Sequence, residues 1–190
     1  MAESILARLL EQTDGTDRRG KSGLTAPAAW AVWVARILVA VVFVVNVQCA
    51  LRFVIWPDEF TAAFALAGAG FAGVAAVQGI GVAFLMWNAT YPAVIASPLR
   101  FRTLHVVMIA QQLIGLVGES FIYSAIPNSL FARSGVAETA SEAVTTLSST
   151  DYAALADSVW AFIEFDALGL AMLVAAFVIA WWAGRTKKTA

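Results

Sequence analysis

Glu119 lies inside the apolar run LHVVMIAQQLIGLVGESFIYSAI, residues 104–126. Burying an ionisable side chain in such a run is costly, so it faces a protein interior and a partner rather than lipid. His105, Met108, Gln112, Gly115 and Glu119 recur at helical spacing and form one stripe. The first apolar run contributes Gln48 and Arg52, four apart on one helical face, after Asn46. The second contributes Gln78 and Asn88, and the fourth Glu164 and Asp166. Glu164 and Asp166 are two residues apart, so they point about 200° away from each other on a helix. Asp166, followed by Gly169, is expected to face inward, where glycine permits close helix contact. Glu164 is expected to face a groove, the outer interface or a partner.

These residue types limit the chemistry. Arg52 with Glu119 is the first expected ion pair, since Arg52 is essentially the only cation near the acids. The remaining acid must then be protonated, hydrated or neutralised by a bound cation. The candidate ligand-binding residues are Arg52, Gln48, Gln78, Gln112, Glu119 and Asp166. They suit a cavity open to the outside that takes a polar head such as a quinone ring, or a route for a proton or ion. The competing reading is an ion-pair and hydrogen-bond cluster that only fixes the bundle. A possible second site comprises Glu164, His105 and Asn88, with His105 expected at the membrane interface. No nucleophile–base pair, phosphate loop or metal cluster is visible, so a self-sufficient enzyme is the least expected outcome.

The elements that must position these groups are membrane spans. The chain is 61% hydrophobic and 13% charged over 190 residues, with a mean hydropathy of +0.78. Runs of roughly 20 apolar residues read as spanning helices. Four are expected, over 28–55, 74–95, 104–126 and 159–183, giving an all-α, integral membrane four-helix bundle. Residues 1–27 read as a cytoplasmic arm with a possible surface helix, and 186–190 as a basic tail within the cytoplasm. Outer loops are expected over 57–73 and 128–157, the latter rich in Ser, Thr and Ala, with Ser149 or Thr150 able to cap a helix that starts near Asp151 and continues into the fourth span. Trp30, Trp33 and Trp56 mark interfaces of the first span. Lys and Arg concentrate in the arm, in Arg100 and Arg102, and in Arg185, Lys187 and Lys188. The positive-inside rule therefore puts both termini in the cytoplasm. The net charge of −1 and the lack of a basic patch argue against nucleic acid. Cys49 is the only cysteine, so neither an internal disulfide nor a two-thiol redox pair can form.

The first span and its exit read Arg36-Ile-Leu, Phe43, Gln48, Ala50-Leu51, Phe53, Pro57 and Phe60. This pattern resembles the opening of the DoxX-like membrane proteins, with their four helices and cytoplasmic termini. The likeness covers 36–91 in pattern and the rest in layout. It differs at 46–52, where Asn46 to Arg52 replaces the usual small residue and Lys. The resemblance implies a multi-pass protein of the bacterial cytoplasmic (inner) membrane, sometimes linked to quinone or thiol redox chemistry and sometimes an accessory subunit. The expected function is thus an accessory or quinone-site component of a membrane redox system. The alternatives are a small proton-coupled transporter, or a scaffold that docks a partner through the long outer loop. Quinone is the one cofactor considered. The expected partners are the lipid bilayer and redox-complex subunits or a second copy of the chain.

Overall fold

The computed structural model describes residues 26–136 and 149–185, with side chains over 29–126 and 152–185. The expected arm helix, the middle of the long loop and the basic tail lie outside the described residues. Every described element is helical. They are α1 (Ala26–Ile55), α2 (Asp58–Thr61), a 3-10 turn (Ala67–Ala69), α3 (Phe71–Asn88), α4 (Tyr91–Ala96), α5 (Arg102–Val136) and α6 (Ser149–Arg185).

Four stretches are long and apolar enough to cross a membrane: Ala29–Ile55, Phe71–Ala96, Arg102–Ile126 and Tyr152–Arg185. They coincide with the four expected spans. Two departures affect the site. Helix α5 runs on to Val136, into the loop expected over 128–157, while α6 begins at Ser149, beside the expected helix start near Asp151. The second span is also not one helix. It breaks at Ala89 and Thr90 before resuming as α4 with Pro92 in its first turn. Proline has no N–H, so the Asn88 carbonyl four residues back loses its helical donor.

The packing order explains where space remains. α1 packs against α6, α3 and α4, while α5 packs against α6 and α4. α3 and α5 make no comparable contact, so a seam opens between them. At the end of the bundle that carries the termini, an aliphatic core fills the interior. It contains Ala35, Val39, Val42, Val94, Met108, Leu173, Ala176 and Ala180, with Tyr91 at its upper edge. At the far end Phe53, fully buried, is ringed by Phe60, Phe64, Phe84 and Phe162 at centroid distances of 4.5–6.1 Å. Gly81 lets α3 approach α1 there: a Cβ at that position would sit 2.8 Å from the Ala50 carbonyl oxygen. Between the aliphatic core and the aromatic cluster lies a polar layer.

Candidate functional site: a polar cavity midway along the bundle

The polar layer encloses a small cavity of about 40 Å³, lined by Asn46, Phe84, Trp87, Asn88, Gln112, Gly115, Glu119, Phe165 and Asp166. Each spanning element contributes: α1 gives Asn46, α3 ends into it at Asn88, α5 gives Gln112 to Glu119, and α6 gives Asp166. The α5 groups follow directly from the stripe at helical spacing. Asn46 belongs to another stripe, with Ala35, Val39, Val42, Ala50 and Phe53 buried along the inward face of α1.

Two glycines make the α5–α6 contact polar instead of apolar. A Cβ on Gly115 would collide with Oδ2 of Asp166, and a Cβ on Gly169 would sit 2.9 Å from Nε2 of Gln112. Each helix thus opens a notch for the other's polar side chain. In that reciprocal fit Gln112 Nε2 donates to Asp166 Oδ1 at 2.7 Å. Both side chains are buried. A buried hydrogen bond to a carboxylate is stronger than a neutral one.

The same fit fixes the distance between the acids. Asp166 occupies the space a residue-115 side chain would fill, and Glu119 stands one helical turn along α5. Neighbours at that spacing have Cβ atoms roughly 5–6 Å apart. At about 6 Å and an effective dielectric of roughly 20, two carboxylates repel by about 3 kcal/mol. No Lys, Arg or His lines the cavity among the described residues. The repulsion is relieved only when a proton or another cation enters between them.

The amide nitrogens around this space are committed to neighbouring groups. Asn88 Nδ2 donates to the Phe84 carbonyl at 2.7 Å. A carbonyl only accepts, so the amide nitrogen is the end that faces it, and Oδ1 is left buried without a partner. Asn46 Nδ2 donates to the Tyr91 hydroxyl at 3.4 Å. Glu119 Oε2 is likewise buried and unpartnered. An unsatisfied buried polar atom calls for an explanation, and here two of them belong to residues that line one cavity.

Several expected site residues lie elsewhere. Arg52 does not pair with Glu119. It bridges Glu59 at 3.2 Å, with both side chains more than half exposed, and stands over the Phe60 ring. The turn at Pro57 brings Glu59 and Phe60 of α2 back beside Arg52, with Phe60 also packed on Phe53. Gln48, two residues from Asn46 and so on the opposite side of α1, is exposed with Arg52. Those two line a separate groove of about 590 Å³ with Phe43, Val47, Leu51, Trp56 and Glu59. Gln78 donates to the Val54 carbonyl at 3.1 Å and ties α3 to α1 outside the cavity.

The second site of Glu164, His105 and Asn88 is not assembled. Glu164 is exposed and accepts from Trp160 Nε1 at 2.9 Å. His105 is fully buried, with Nε2 3.0 Å from the Leu173 carbonyl and its ring edge-on to Phe177. Helix α5 begins at Arg102, which places residue 105 on the face that meets α6. Asn88 belongs to the main cavity instead. Asn46 was the residue missed; its spacing from Val39 and Val42, on the stripe opposite Gln48, marks it as inward-facing. No family model, curated protein or solved structure matches the chain.

Proposed function

We propose that this protein is a small proton-coupled membrane transporter in which the Glu119–Asp166 pair takes up and releases a proton. The observation that carries the reading is the pairing of two carboxylates in one cavity with no basic side chain lining it. The break between α3 and α4 beside the cavity supports it, because discontinuous helices form the ion and substrate sites of many transporters. The seam between α3 and α5 supplies a side on which the bundle can open. Lys and Arg placement supports cytoplasmic termini, with the aromatic cluster on the outer side. A bacterial inner membrane is the proposed location. The test is proton flux into liposomes under an imposed potential, followed with an entrapped pH dye. Wild-type protein is expected to acidify the lumen, and Glu119→Gln and Asp166→Asn to abolish the response. A wild-type signal equal to that of empty liposomes overturns the reading.

A cavity of about 40 Å³ holds water or an ion, not a quinone ring, since drug-sized ligands occupy roughly 300–1,000 Å³. The second reading, a DoxX-like accessory component of a redox system, therefore moves to the α1 groove. Its volume of about 590 Å³, apolar walls and polar Gln48 and Arg52 suit a quinone head with its tail along α1. Co-purified quinone that is lost in Arg52→Ala supports this reading, and quinone-free protein from a quinone-rich membrane removes it.

A further inference from the structure

The acceptor atoms around the cavity define more than a proton site, and we propose that it binds one monovalent cation of sodium size through Asp166, Glu119 and Asn88. This rests on the transporter reading above and specifies the site's ligand. Asn88 is 4% exposed, lines the cavity, and has Oδ1 without a partner while its nitrogen is committed to the Phe84 carbonyl. Glu119 Oε2 is unpartnered in the same way. One amide N–H of Gln112 is committed to Asp166 and one of Asn46 to Tyr91. The carboxylate and amide oxygens among the lining residues are of the kind that hard cations take.

Size, charge and backbone agree. The space is about 40 Å³, against roughly 10–15 Å³ needed for one water, so an ion with a few waters fits and a drug-sized organic cation does not. Among the described residues no cluster of three or more His, Cys, Asp or Glu exists. Two carboxylates with amide oxygens suit a hard monovalent ion, not a thiol- or imidazole-seeking metal. α3 ends at the cavity, where Pro92 leaves the Asn88 carbonyl without its helical donor, and half-helix C-terminal ends serve as sodium ligands in transporters. One bound cation also removes the repulsion between the acids.

The experiment is thermal unfolding of the purified full chain in detergent at fixed pH and ionic strength, with choline chloride exchanged stepwise for NaCl or KCl. Saturable stabilisation by Na⁺, weaker with K⁺ and absent with choline, is expected. Asn88→Ala should raise the half-saturating Na⁺ concentration at least tenfold, and Asp166→Asn should abolish the response. If Asp166→Asn does not fold, Asn88→Ala carries the test alone. Equal melting in all three salts, a response to K⁺ without Na⁺, or an unchanged Na⁺ response in Asn88→Ala overturns the proposal. Proton flux measured in sodium-free choline buffer separates the two readings. If it persists and depends on Glu119 while Na⁺ has no effect, the transporter reading stands and the sodium site falls.

Discussion

Gly115→Ala is the sharpest perturbation of the α5–α6 contact. The added methyl collides with Oδ2 of Asp166, which must withdraw from the notch. Withdrawal breaks the 2.7 Å bond from Gln112 Nε2 to Asp166 Oδ1. A hydrogen bond to a charged group contributes about 1.5–3 kcal/mol. Forcing a methyl into packed space costs about 1–3 kcal/mol more, less whatever Asp166 recovers by moving toward the cavity. Alanine returns about 0.5–1 kcal/mol through its higher helix propensity. The net loss is about 1.5–5 kcal/mol, a fall of about 3–20 °C in Tm for a chain of this size. Gly118 is the internal control. It lies on the same helix, and a Cβ there meets nothing within 4 Å. Gly118→Ala should therefore be neutral or raise Tm by up to a few degrees, through about 0.5–1 kcal/mol of helix propensity. Thermal unfolding of both variants in the same detergent is the assay. A Gly115→Ala protein that melts at or above Gly118→Ala refutes the notch, and with it the inferred spacing of the two acids.

Gly81→Ala should destabilise by about 1–3 kcal/mol, because its Cβ would press on the Ala50 carbonyl and Phe53. Gly79→Ala, with open space around it, should not, and the two Tm values compared side by side decide the matter. His105→Ala removes a fully buried ring and its bond to the Leu173 carbonyl. A loss of about 2–4 kcal/mol is expected, and a Tm within experimental error of wild type would place the ring outside the core. Arg52→Ala breaks only an exposed pair with Glu59. Its effect on unfolding should stay below about 1 kcal/mol, and a larger one would mean that Arg52 supports the bundle.

Much of the fold was legible because apolar length is set by the bilayer and little else. The four spans are visible as runs, and the α5 stripe from His105 to Glu119 follows from helical periodicity. The divergence of Glu164 and Asp166 likewise needs only 100° per residue. The pairing of charges was not legible. Arg52 and Glu119 have opposite charge and comparable depth, but depth leaves the rotation of α1 undetermined. That rotation is set by the small and branched stripe Ala35, Val39, Val42, Asn46 and Phe53, which buries one face and turns Gln48 and Arg52 outward. The break at Ala89 and Thr90 was masked by the apolar character of 91–96, which reads as a continuation of the span despite Pro92. The notches at Gly115 and Gly169 depend on register between two helices far apart in sequence, which no local pattern encodes.

The central claim is that Glu119 and Asp166 together bind a cation inside the bundle. Proteoliposomes adsorbed on a supported membrane, subjected to rapid proton or sodium concentration jumps, test it directly by reporting charge displaced on binding. The account predicts a transient, saturable current for wild-type protein that disappears in the Glu119→Gln/Asp166→Asn double variant. A current of equal size in the double variant would contradict it.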